Sequence, residues 1–136
     1  MDKLNECETT ALFDALDDEY KSWSTYDRVI RDFGEVRPFI NIRDAEGRHI
    51  EALLGLCRRY GVTPPGNRWA GETPVYADLH AACEAGVTGE IENVALYDRV
   101  LRSTTRPDIL AVYKALRRAS QERHLPAFQR CVQRGG

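Results

Sequence analysis

The chain has 136 residues and a net charge of −2, with 43% hydrophobic and 29% charged residues. That balance suits one globular domain spanning 1–136 and gives no electrostatic footprint for nucleic acid. No run approaches the roughly 20 apolar residues of a membrane span, so no membrane partner is expected. Met1-Asp2-Lys3-Leu4-Asn5-Glu6 lacks the apolar core of a signal peptide. The expected location is therefore the cytoplasm, or a secreted one if a leader has been removed. Cys7, Cys57, Cys83 and Cys131 show no zinc-ligand spacing. Cys57 and Cys131 fall at apolar helical positions and read as small core residues, with disulfide status open.

The first helix is predicted from about Thr10 to Phe33, with Thr9 or Thr10 as its cap and Gly34 as its stop. Its inward seam, in steps of three and four, is Leu12, Leu16, Glu19, Trp23, Tyr26, Ile30 and Phe33. Glu19 alone interrupts an otherwise apolar stripe. Asp14, Asp17 and Asp18 fall off the seam and read as solvated surface.

The link to the second helix is short, so the two are expected to be antiparallel neighbours. Pro38 suits a first turn and Gly61 ends the helix after Tyr60. The seam here is Phe39, Ile42, Glu46, His49, Leu53, Leu56 and Tyr60. Glu46 and His49 are three apart and share one helix face. A carboxylate on a core face needs compensation, which a metal ion or an ion pair can supply.

Residues from Gly61 to Thr73 are too rich in Pro, Gly and Asn for regular structure. Trp69 is expected to anchor this loop. Thr73-Pro74 reads as a cap opening a short helix from Val75 to Glu84, broken at Gly86. A third long helix is predicted from Thr88 to Arg102 and a fourth from Pro107. The fourth carries Ile109, Tyr113, Leu116, Ser120, His124, Phe128 and Cys131 inward, with a kink or a local break expected at Pro126. No strand is expected. The fold class is thus all-α: a four-helix bundle whose long crossover between helices 2 and 3 carries a short extra helix.

In such a bundle Glu19, Glu46 and His49 converge at mid-height. Helix 3 offers Glu90 and Glu92, which its nearly all-round apolar character leaves undecided. Helix 4 offers His124, with Gln121 three residues before it and Glu122 two before. Carboxylates are hard ligands that can bridge two divalent ions, and imidazoles cap them.

These features resemble the ferritin-like di-iron carboxylate superfamily, and more closely the small bacterial ferritin-like domains of unassigned function. The resemblance rests on Asp18-Glu19-Tyr20 with Tyr26 and Phe33-Gly34, on Pro38 to Ile42 followed by Glu46-Gly47-Arg48-His49, on Glu90-Ile91-Glu92-Asn93 with Leu96-Tyr97-Asp98, and on Ala119-Ser120 with His124 to Phe128. It covers roughly residues 10 to 132. It implies a metal set of Glu19, Glu46, His49, Glu92 and His124, with Gln121 standing where a bridging Glu would be. It implies iron, usually as a di-iron site, or manganese, with O₂ or peroxide as co-substrate and oxidoreductase chemistry. No rubredoxin-type Cys₄ spacing is present, so an electron donor would be external; a homodimer is compatible with the sequence.

Each position also has a plainer reading. Glu19 could pair with an arginine, Glu46 and His49 could bond each other or a tyrosine, and His124 could be a capping or core histidine. A neutral amide at Gln121 weakens one site. The alternative function is accordingly a non-enzymatic interaction or regulatory module with a degenerate metal site.

Overall fold

The computed structural model describes residues 2–135. All regular structure among them is helical: α1 (Glu6–Phe33), α2 (Phe39–Tyr60), α3 (Leu79–Val100), α4 (Pro107–Ala119) and α5 (Leu125–Gln133). A π-helical turn, Ser120–His124, joins α4 to α5, so the two form one long rod. No helix is long and apolar enough to cross a membrane.

Helix α1 starts a turn earlier than the Thr9 or Thr10 cap predicts. Asn5 is the cap: its side chain accepts from the Glu8 N–H at 2.7 Å, and Glu8 accepts from the Asn5 N–H at 3.0 Å. This reciprocal box satisfies two amides that the first helical turn would otherwise leave free. Gly34 closes the helix at φ 97°, its N–H bonded to the Ile30 carbonyl. Gly61, left-handed at φ 68°, closes α2 after Tyr60.

The third helix corrects the expected segmentation. There is no separate helix from Val75 to Glu84 and no break at Gly86; α3 runs unbroken from Leu79, capped by Asp78, which accepts from the Ala81 N–H at 2.8 Å. Gly86 is there for space. A Cβ at that position would lie 2.6 Å from the Phe128 ring, so the glycine lets α5 approach α3 closely. The intervening segment 61–78 has no helix of its own. As expected, Trp69 ties it down: its indole N–H donates to Asp17, which also takes both arms of Arg68.

Pro126 does not end the rod, and the local break expected there is a π turn that interrupts the α-helix between Ala119 and Leu125. The turn before the proline widens, and the Leu125 N–H bonds the Ser120 carbonyl five residues back. A π turn accommodates one extra residue at the point where proline removes a donor and crowds the preceding turn. It also keeps the seam in register. Steps of four from Leu116 to Ser120, His124 and Phe128 each overshoot a 3.6-residue turn by about 40°. The added residue absorbs most of that drift, and Ser120, His124 and Phe128 are all buried.

The packing partners give the direction of each rod. Along α1 and α2, Asp27 meets Arg43, Trp23 borders Gly47, and Glu19 meets His49. Numbers rise on one helix as they fall on the other, so the pair is antiparallel. Tyr26 with Glu90 and Asp14 with Arg99 set α3 antiparallel to α1. Cys83 with Cys131, Glu90 with His124 and Asp98 with Arg117 set the last rod antiparallel to α3.

Two apolar clusters fill the bundle. One gathers Leu12, Leu16, Leu53, Leu56, Tyr97, Ile109 and Tyr113. The other gathers Tyr26, Phe39, Ile42, Ala82, Cys83 and Phe128. In the second, Cys131 is not a free core thiol but is disulfide-bonded to Cys83, joining α5 to α3. Cys57 is buried and reduced, as its apolar position suggests.

Candidate metal centre

Between the two apolar clusters lies a layer of buried polar side chains. Glu19, Glu46, Glu90, Asn93 and Ser120 have no exposed surface, and His49 and His124 are buried beside them. Each arrives from the helix whose periodicity turns it inward: Glu19 from α1, Glu46 and His49 from α2, Glu90 and Asn93 from α3, and Ser120 and His124 from the π turn.

The carboxylates and imidazoles interlock. His49 Nδ1 lies 3.0 Å from Glu19 Oε2 and 3.1 Å from Glu46 Oε1. His124 Nδ1 lies 3.2 Å from Glu90 Oε1 and 3.3 Å from Glu46 Oε1. The two imidazole rings stack, 16° from parallel with centroids 5.5 Å apart. Glu46 is thus the shared centre, with a His–Glu pair on either side.

A further ring of donors orients the outer carboxylates. Tyr97 donates its hydroxyl to Glu19 at 2.8 Å, and Tyr26 donates to Glu90 at 2.6 Å. Asn93 donates to Glu19 at 3.2 Å and to Asp18 at 2.7 Å, and accepts from Ser120 at 2.7 Å. Second contacts of this kind fix ligand orientation in metal sites. Burial, followed by the neighbouring Glu90 and Glu46 charges, pushes the Tyr26 phenol far above its ordinary range. Tyr97 is raised in the same way beside Glu19. Both phenols therefore remain donors.

Glu46 is the exception. Its approaches to the two imidazoles lack hydrogen-bond geometry, and neither of its buried oxygens has a hydrogen-bond partner. Burial raises its carboxyl well above the usual range, and the flanking Glu19 and Glu90 raise it further. Glu19 is also desolvated, but the hydrogen bond and charge of His49 outweigh burial and hold it below its ordinary value. Asp18 is pushed to about 6, by burial first and then by its acidic neighbours, against the bond from Asn93. Three carboxylates packed together in a core repel one another, and the one with the fewest bonds is raised.

This donor chemistry fits a divalent cation. One donor atom from each of Glu46, His49 and His124 lies within 4.8 Å of the others. An ion among them would satisfy both orphaned oxygens and relieve the repulsion. Glu19 and Glu90 stand beside these three with further oxygens.

Of the expected set, the structure brings together Glu19, Glu46, His49 and His124. It does not bring in Glu92, which is exposed, or Gln121, which is exposed and bonded instead to Arg117 at 2.8 Å. Glu90 takes the place expected of Glu92. The inward face of α3 runs through Cys83, Gly86, Glu90, Asn93, Tyr97 and Val100, again in steps of three and four. A break at Gly86 would cut this seam in half, and the apolar residues around the rest of α3 mask its phase in the sequence. At the second histidine, the π turn faces Ser120 inward, four residues before His124, and turns Gln121 out.

Fold and layer define an all-helical bundle carrying a buried Glu–His–His group able to hold a metal ion. The chain belongs to the uncharacterized protein domain family DUF2202, which it matches over residues 16–136. No curated protein matches it. It is similar in fold to a hypothetical protein from Methanococcus jannaschii DSM 2661, with a TM-score of 0.88 and 20% identity, over 100% of this chain and 85% of that one.

Proposed function

We propose that the protein is a ferritin-like metal-binding bundle that holds iron, or manganese, in the layer around Glu46. The observation that carries this reading is the pair of unpartnered, fully buried Glu46 oxygens flanked by two histidines. The helix directions support a ferritin-like arrangement. Helix α2 runs against α1, α3 also runs against α1, and the last rod runs against α3, so segment 61–78 would span the bundle end to end.

Glu46, His49 and His124 would hold the ion, with Glu19 on the His49 side and Glu90 on the His124 side. Glu19, Glu46 and Glu90 together supply three negative charges, one fewer than two dications carry. Asp18, linked to Glu19 through Asn93, would bring the fourth. Bound iron would supply one-electron exchange with O₂ or peroxide. Tyr26 and Tyr97 would hold the outer carboxylates in place by donating to them. The apolar clusters above and below would keep bulk water from the layer.

The degenerate-module alternative leaned on Gln121. That residue lies outside the layer, and Ser120 faces inward in its stead, so the last rod adds no carboxylate to the layer. Elemental analysis of protein purified without chelator tests the proposal, with Glu46→Ala alongside. Stoichiometric iron or manganese is expected in the wild type and its loss in the variant. Absence of metal even after Fe(II) is added would sink the reading, as would equal metal in the two proteins.

A further inference from the structure

The polar layer has an approach from one side. Between α2 and the rod formed by α4 and α5 lies a cavity of about 650 Å³, with His49 and His124 in its wall. That volume lies within the range of small-molecule sites, roughly 300–1,000 Å³. Buried Ile42, Leu116 and Ala119 line its inner part.

The rim has a single sign of charge. Arg37, Arg48 and Arg123 border the cavity, all three exposed, and no acidic residue lines it. Nine other arginines make ion pairs, Arg28, Arg43, Arg68, Arg99, Arg106 and Arg117 among them, while Arg102, Arg118, Arg130 and Arg134 make none among the described residues. Among the described residues, none of the three rim arginines has a carboxylate within 4.0 Å. Two of them immediately precede the wall histidines, Arg48 before His49 and Arg123 before His124. The same helical turns that aim the imidazoles at the layer therefore set guanidinium groups at its mouth.

An apolar cavity under three positive charges, with no carboxylate in its lining, attracts an anion and repels a free metal cation. The guanidinium fork matches carboxylate and phosphate oxygens in pairs. An inorganic anion would leave the apolar walls unused. We propose that this cavity binds a small organic anion, its carboxylate or phosphate held by Arg48, Arg123 and Arg37 and its apolar body lying along Ile42, Leu116 and Ala119 toward His49 and His124. This names the substrate class of the centre proposed above and rests on that reading for its chemistry. The binding itself rests on the cavity alone.

Calorimetric titration of the full chain, metal-free and Co(II)-loaded, tests it with hexanoate, hexyl phosphate, hexan-1-ol and inorganic phosphate. At least one hexyl anion should bind both forms, and comparison of the two identifies the acid group. Hexanol and inorganic phosphate should each bind at least about tenfold more weakly, since each lacks one half of the recognition. Arg48→Gln combined with Arg123→Gln should weaken the anion by about tenfold or more while Co(II) stoichiometry and thermal midpoint stay unchanged. Ala115→Trp, at an exposed position on the cavity lining, should block it sterically. In the Co(II) form the bound anion should shift the visible absorption bands. The proposal is overturned if neither anion binds, if hexanol binds as tightly, or if the double variant retains full affinity. Failure of the wild type to take up Co(II) would count against the metal reading, and the metal-free titration would still decide the cavity.

Discussion

Glu46 has no exposed surface and no hydrogen-bond partner, and it lies between two other buried carboxyl groups. Retaining such a group costs folding free energy, since an unpaired buried polar group is destabilising by about 1–3 kcal/mol. Glu46→Leu should therefore stabilise the metal-free protein by about that amount, measured by urea unfolding in the presence of chelator. The same substitution should abolish metal uptake. A loss of stability in the metal-free variant would mean that Glu46 is structurally satisfied and would remove the main argument for an ion. Glu19 and Glu90 differ from it because each has a tyrosine and an imidazole to bond.

At the level of the helices, two local features position this layer. Gly86 allows α3 and α5 to come together through the Phe128 ring. Gly86→Ala would raise helix propensity by about 1 kcal/mol, but it places a methyl group against a fully buried aromatic ring. The steric term should win, lowering stability by about 1–3 kcal/mol in chemical denaturation. A more stable variant would show that the ring yields.

The start of α1 is tied to the start of α4. Glu8 accepts from Thr104 and Arg106, and these bonds, with that from Asn5, outweigh burial and lower its carboxyl from the ordinary 4.5 to about 2. Its folded value is depressed, so its contribution is complete above about pH 4.5 and is lost as pH falls toward 2. Glu8→Gln should be less stable at neutral pH and should lose less stability across that window. Thermal midpoints between pH 6 and pH 2.5 check this, and parallel curves for the two proteins would contradict it.

Over the whole molecule, the polar layer separates two apolar clusters, and only one of them is covalently closed. The Cys83–Cys131 bond spans 48 residues and locks α5 to α3 next to Gly86 and Phe128. Closing a loop of that length is worth about 2–4 kcal/mol through the unfolded chain. Reductant, or Cys83→Ser with Cys131→Ser, should lower stability by that amount without removing the metal, because the layer draws no ligand from either cysteine. Midpoints with and without reductant give the first result and metal content the second. Coincident loss of both would indicate that the layer needs the bond to stay assembled.

Periodicity alone was enough to identify the seams of three helices and to place Glu19, Glu46, His49 and His124 on their inward faces. The reason is local: spacing along a helix determines which side chains share a face, whatever lies opposite. Gly34, Gly61, Pro38 and Pro107 likewise marked helix boundaries through backbone constraints that act within a few residues. Tertiary structure decided the rest. The choice of Glu90 over Glu92 depended on the phase of α3, and that phase depended on Gly86, whose sequence signal is the same for a break as for a close approach. Ser120 and Gln121 competed for the inward position before His124, one by the seam and the other by its spacing of three, and the π turn before Pro126 seats Ser120 in the layer. The pairing of Cys83 with Cys131 and the meeting of three arginines over one cavity join residues from different helices. One-dimensional spacing carries the orientation of a side chain within its own helix, but not which helix will face it.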